Sequence, residues 1–467
     1  MTQAKETDNN KVVVVALDGA SYDLMNQCIK ENDYSNIETL GEQGSFKPMD
    51  STLPALTPSA MASFLTDRNP GGTGVYGFEQ RSPFSYETSV VNSRSLGDTF
   101  PEDMDNRSIL INVPMTYPAP KINGVVVSGF PGSTQGRYAY PPTIKKDLKE
   151  MNYTVTTAGD FENNEELKKE VFDAFKKRRD LSLRYMDKYD WEYFMVMFTG
   201  DARLEHFMGP ENCSDALGDY YGGVDEFIGN VREKTPDNTT IILASNHGFQ
   251  PLKKKINLYT FLKNKGYLAP KQPLYWENFV KSKIGKIEDW LGLRKGGAIS
   301  STGSFSSGYM DEIDWSQTKA YTGAYYNGQI FINLKGREPQ GTVKEEDYEK
   351  VRQNIIEDLK QLRDPETGEK VVSEIHTKDE IYSGDKMDRV PDIVFETPGY
   401  NHVARFGFGD TFLSNPVEKA SPHPEGFVMS NREVQTDNNT IMDLSRTVVD
   451  LLGVDIGDKE GRNMFSK

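Results

Sequence analysis

The chain carries five histidines, His206, His247, His376, His402 and His423. Three of them stand in company suited to chemistry. His247 lies in Ala244-Ser245-Asn246-His247-Gly248-Phe249, directly after the aliphatic run 241–243. His206 follows the apolar run 194–198 by a short segment that holds Asp201, and His423 sits in Ser421-Pro422-His423-Pro424-Glu425-Gly426. Asp18 likewise ends an apolar run, 12–17. Carboxylate and neutral imidazole are the donors that zinc and manganese favour. A single histidine of this kind is more often a surface or hydrogen-bonded residue. Several polar groups, each following a buried run, favour a site.

A second candidate is the segment Pro54-Ala55-Leu56-Thr57-Pro58-Ser59-Ala60-Met61-Ala62. Pro58 suits the first turn of a helix, and the residues after it are good helix formers. Thr57 then falls at or before the N-cap. Its hydroxyl can cap the helix, or it can act as a nucleophile whose anions the helix amides stabilise. Composition leaves both readings open.

These residues need elements to position them. The run 12–17 is continuous and β-branched, as expected of a strand buried on both faces of a parallel sheet. Similar runs recur at 108–113, 124–128, 193–199 and 240–244, and amphipathic stretches at 165–187 and 220–232 lie between them. Strands alternating with helices predict an α/β architecture. In open parallel sheets, ligands bind at the carboxyl ends of strands, so Asp18, Asp201, His206 and His247 are expected to converge at one edge. Further strands are expected at 329–334 and 393–395, with helices at 345–361 and 440–452, the last one stopped by Gly453. Residues 1–10 are expected to be frayed. The Gly/Ser-rich region 271–310 is expected to be a surface insertion in a catalytic domain spanning 11–467.

Composition excludes several classes. There are 54 Lys and Arg against 70 Asp and Glu, a formal charge of −16, which argues against a nucleic-acid surface. No run approaches the ~20 apolar residues of a membrane span, and the first residues lack the pattern of a signal peptide. Two cysteines, Cys28 and Cys213, rule out a disulfide framework and fit a reducing, cytoplasmic setting.

Taken together, the motifs resemble the alkaline phosphatase superfamily, and within it the type I phosphodiesterase/nucleotide pyrophosphatase group. The pieces are Ala16-Leu17-Asp18-Gly19-Ala20, the Thr57 segment running on to Asn69-Pro70-Gly71, Ile111-Asn112-Val113-Pro114, Ile332-Asn333-Leu334-Lys335-Gly336, the His423 motif and Asp450-Leu451-Leu452-Gly453. No single piece is specific, but their order and spacing are. The resemblance implies an alkaline phosphatase-like core with a mostly parallel central sheet, covered by helices on both faces and carrying insertions. It implies a metal-dependent hydrolase of phosphate mono- or diesters with a threonine nucleophile, Thr57, and two divalent ions, zinc or else manganese. One ion would be held by Asp18, Thr57, Asn246 and His247, the other by Asp201, His206 and His423. The partner would be a phosphorylated small molecule or phosphodiester; substrate contacts are not assigned, and Arg68 and Arg203 read as surface ion pairs.

Two positions depart from the family pattern. Asn246 stands where the family has Asp, so an uncharged amide replaces a carboxylate. The family places an Asp four residues before the histidine matched by His206. Here that position is Ala202, and the carboxylate sits one residue earlier, at Asp201. On a helix this shift turns Asp201 ~100° away. These departures keep a second expectation open, a degenerate member that binds a phosphorylated ligand without hydrolysing it.

Overall fold

The computed structural model describes residues 11–82, 84–155, 161, 163–271, 310–323, 328–403, 410–414, 416, 418–457 and 460–466. The expected N-terminal fraying at 1–10 and nearly all of the expected 271–310 insertion lie outside the described residues.

A nine-stranded sheet forms the centre. Its strands, in spatial order, are Asn439–Thr440, Ser45–Asp50, Glu425–Ser430, Thr240–Ser245, Val12–Leu17, Tyr193–Phe198, Ser108–Val113, Gly124–Ser128 and Ala139–Tyr140. The four middle strands from Thr240–Ser245 to Ser108–Val113 run parallel to one another. Glu425–Ser430 enters antiparallel to both neighbours. Every residue of Val12–Leu17 is buried, because helices cover both faces of the sheet. Val13, Val15 and Leu17 pack toward the helices Tyr22–Glu31, Ser35–Gln43, Asn164–Lys188 and Ser214–Lys234. Val12, Val14 and Ala16 pack toward Thr57–Thr66 and Ile441–Leu451. The period-2 alternation of a strand thus feeds two cores.

A smaller antiparallel sheet lies beside this core, with strand order Ala320–Thr322, Gly328–Ile332, Ile393–Phe395 and Ile375–Thr377. It packs with the helices Leu258–Asn264 and Glu345–Lys360 around its own hydrophobic cluster. Hydrogen bonds tie it to the main body, from the Tyr382 hydroxyl to the Leu53 carbonyl (2.7 Å) and from Gln329 Nε2 to the Tyr76 carbonyl (2.7 Å). The strands expected at 329–334 and 393–395 are found here. Their partners Ala320–Thr322 and Ile375–Thr377 are only three residues long and were not anticipated. Among the described residues, no helix is long and apolar enough to cross a membrane.

Candidate active site

Register places the first cluster. Leu17 pairs with Phe198 on one side and Ser245 on the other. The next residues, Asp18 and Asn246, therefore leave the sheet side by side at its carboxyl edge. Gly19 turns the chain with φ +95°, and a Cβ there would stand 2.3 Å from the Phe249 ring. Only glycine allows this turn to pack against Phe249.

Thr57 arrives from the opposite face. It opens the buried helix Thr57–Thr66, whose N-cap is Leu56, with Pro58 following in the first turn. The expectation of a capping hydroxyl at or before the N-cap is corrected by one position: Thr57 is the first helical residue and caps nothing. Its Oγ1 instead donates to Asp18 Oδ1 at 2.8 Å. No side chain caps this helix.

His247 completes the group. Its Nδ1 lies 2.9 Å from the Gly248 carbonyl. A carbonyl can only accept, so Nδ1 carries the proton and Nε2 presents a lone pair. That lone pair lies 3.2 Å from Thr57 Oγ1 and 3.4 Å from Asp18 Oδ1. Asn246 Nδ2 donates to the same Asp18 oxygen at 3.1 Å, while its Oδ1 is buried without a hydrogen-bond partner. Burial pushes the Asp18 carboxyl up, but the adjacent His247 imidazole and the hydrogen bonds from Thr57 and Asn246 outweigh it and hold Asp18 below the usual carboxylate range. Asp18 is an anion at neutral pH.

The second cluster is built differently. Gly200–Met208 is helical, and Asp201 turns into the core with no exposed surface. Its Oδ1 accepts from the Ala202 amide (3.0 Å) and the Asp18 amide (3.4 Å), and its Oδ2 has no hydrogen-bond partner. The expected ligand Asp201 thus lies behind the Asp18 turn, as the ~100° rotation on a helix requires. Burial, with Asp18 and Glu205 nearby, raises its pKa well above the carboxylate range. His206 follows on the same helix, 6.1 Å from the Phe249 ring, which also lies 5.3 Å from the His247 ring. Burial pushes the His206 pKa down to about 4, with Glu418 opposing and Arg203 and Lys255 assisting.

His423 is brought in by a short antiparallel pairing of two strands distant in sequence, which sets it opposite Gly248. Its Nδ1 accepts from the Glu425 amide at 3.2 Å, so its neutral tautomer carries the proton on Nε2, opposite to His247. Two carboxylates near these histidines carried no motif. Glu418 pairs with Lys255 and acts on His206. Asp50, directly opposite Glu425 across two strands, is raised by burial and lowered by His423. Arg203 lies over the Phe207 ring.

Three comparisons extend the geometry. The sequence matches the family described as type I phosphodiesterase / nucleotide pyrophosphatase over residues 12–407. The chain belongs to this family. It is a phosphoester hydrolase by that membership. No curated protein sequence matches it. Among solved structures, the family member is similar to phosphonoacetate hydrolase from Sinorhizobium meliloti 1021 in complex with phosphonoformate, with a TM-score of 0.59, 14% identity, and 95% of this chain and 96% of that one covered. It is also similar to murine ectonucleotide pyrophosphatase / phosphodiesterase 5, with a TM-score of 0.54, 12% identity, and coverage of 98% and 100%. An inactive variant of that murine protein is known in complex with AMP. At such identities the likeness establishes the fold, an alkaline phosphatase-like core.

Proposed function

We propose that this phosphodiesterase-family member cleaves phosphate mono- or diesters through a covalent ester on Thr57. One observation carries the reading. The Thr57 hydroxyl stands at the uncapped start of a buried helix, 2.8 Å from Asp18 Oδ1 and 3.2 Å from the lone pair of His247 Nε2. Its single proton faces two acceptors. As Thr57 Oγ1 bonds to phosphorus, that proton passes to one of them, the P–O bond to the leaving group breaks, and the departing alkoxide takes the proton up as an alcohol; water then cleaves the Thr57 ester and restores the hydroxyl. The positive end of the helix lies where the phosphoryl oxygens gather charge. The solved relatives carry AMP or phosphonoformate. Both ligands contain a phosphoryl or phosphonyl group, and that group is the feature carried over.

The family implies divalent metals, and the first cluster fits one. Asp18 Oδ1, Thr57 Oγ1 and His247 Nε2 lie 2.8–3.4 Å from one another, a carboxylate, hydroxyl and imidazole set that would hold a zinc-class ion. The orphaned Asn246 Oδ1 offers a fourth donor after a half-turn of its amide. A zinc-class cation held by these residues would supply Lewis-acid charge to the Thr57 hydroxyl and the phosphate. The second cluster does not fit as it stands. His206 and His423 bring no carboxylate of their own, Asp201 is turned away, and the His423 Nδ1 lone pair is spent on Glu425. We assign Asp201 a positioning role beneath the Asp18 turn. We further propose that residues 11–467 act as one catalytic unit in a reducing cytoplasm, a reading supported by two buried free thiols.

The test is hydrolysis of aryl phosphate mono- and diesters by Thr57→Ala and Thr57→Ser. The reading expects loss in the first and residual turnover in the second. Unchanged turnover by a folded Thr57→Ala refutes it.

A further inference from the structure

Outside the Asp18 site, the described residues contain one group of three His, Cys, Asp or Glu side chains whose ligand atoms all lie within 4.8 Å of one another: Glu374, His376 and Glu396. It belongs to the small sheet. Ile375 pairs with Phe395 and His376 with Val394, and the Glu396 amide donates to the Glu374 carbonyl at 2.9 Å. This pairing sets Glu374 directly opposite Glu396. Like charges at that position destabilise a sheet unless something neutralises them. His376, two residues from Glu374, projects from the same face.

The imidazole stands between the two carboxylates, in loose ion-pair range of each. His376 Nε2 lies 3.4 Å from Glu374 Oε2 and 3.7 Å from Glu396 Oε1. The Nε2 atom is buried without a hydrogen-bond partner, while the His376 side chain as a whole is 22% exposed. A charge-assisted N–H···O bond would close to ~2.7–2.9 Å. The observed spacings match donor atoms arranged around a common centre. No Lys or Arg is among the main charges acting on Glu396, which are Glu374, His376 and His423, and burial with Glu374 raises its carboxyl.

We propose that Glu374, His376 and Glu396 form a binding site for a zinc-class divalent cation on the small sheet, separate from the Asp18 site. Two carboxylates and one imidazole are a borderline-hard donor set for such an ion, with a remaining position left to water. The face that carries the site also carries Val394, which packs against Tyr76 and Tyr382. Tyr382 in turn holds the Leu53 carbonyl, four residues before Thr57. A cation here would brace the small sheet against the segment that delivers the nucleophile.

The experiment counts zinc per full-length chain by elemental analysis after dialysis, in two backgrounds. In the wild type, His376→Ala should remove one ion. In an Asp18→Asn/His247→Ala chain, which disables the first site, one ion should persist and should leave when His376→Ala is added. Glu374→Gln, at a largely exposed side chain, repeats the test if His376→Ala fails to fold, and should weaken zinc binding about tenfold or more. Equal zinc content and affinity with and without His376 or Glu374 overturns the site. Because the second background lacks the Asp18 site, failure here is distinguishable from failure of the nucleophile assignment.

Discussion

The two halves of the candidate active site show what a phosphoester hydrolase needs and how a one-residue shift alters it. Around Thr57, the side chains of Thr57, Asn246 and His247 converge on one oxygen of Asp18, and a backbone contact fixes the histidine's chemistry. The Gly248 carbonyl sets the His247 tautomer so that a lone pair faces inward. Around His206 and His423 the residue types are similar, but the outcome differs. Asp201 is spent on backbone amides behind the Asp18 turn, and His423 accepts from Glu425. Both halves hold histidines; only one holds a carboxylate aimed at the same point. Residue type is therefore a weaker guide than the partner that orients each donor.

The strongest way to break this contrast is to remove the hydroxyl on which the first half converges. Thr57→Ala should lower kcat at least ~10³-fold. Its thermal unfolding should barely move, because Thr57 does not cap its helix. Steady-state kinetics with calorimetry checks both.

The second prediction concerns the other half in chelator-treated protein. The His206 pKa is about 4 in the fold against ~6.5 in the unfolded chain. Between these values the unfolded chain binds a proton that the native state does not. Stability should therefore fall as pH drops from ~6.5 toward ~4, by up to ~3 kcal/mol. Denaturant titrations across this range should show the loss in the wild type and a flatter profile in His206→Asn.

The third prediction sharpens the metal reading of the first half. Asn246→Asp places a second carboxylate against Asp18. Without metal it should lower the melting temperature through like-charge repulsion. With zinc it should raise affinity about tenfold or more. Thermal shifts with and without chelator give both signs. No difference between the two conditions would argue against a cation at Asp18.

The smallest effect belongs to Asp201. Its raised pKa means that the unfolded chain loses its proton first. That contribution to stability is fully present only below the unfolded pKa and is lost as pH rises through the folded one. Asp201→Asn, which mimics the protonated form, should gain stability relative to the wild type as pH rises from 5 to 8. In the companion variant, Ala202→Asp should give the His206 side a modest gain in zinc affinity.

Much of the frame was legible in the sequence because strands buried on both faces leave continuous β-branched runs. The bounds of 12–17, 108–113 and 124–128 were readable for that reason. Asp18 and His247 were legible because each directly follows such a run. The exact place of Thr57 in its helix was not, since Leu56 occupies the N-cap and a pattern reading cannot tell the cap from the first helical residue. Asp201 depended on whether 200–208 was helical, a choice the sequence left open. Glu418, Asp50 and the Glu374–Glu396 pair were invisible because strand pairing between distant segments, not local pattern, brings them to their partners. The family membership was readable from the order of weak motifs, none of which decides it alone.

The central claim is that bond making occurs at Thr57. Rapid acid quench during turnover of an aryl phosphodiester, followed by peptide mapping in a mass spectrometer, tests it most directly. The account predicts a phosphoryl ester on the peptide containing Thr57, absent in Thr57→Ala. Sustained turnover with no adduct at Thr57, or with the adduct on another residue, would contradict it.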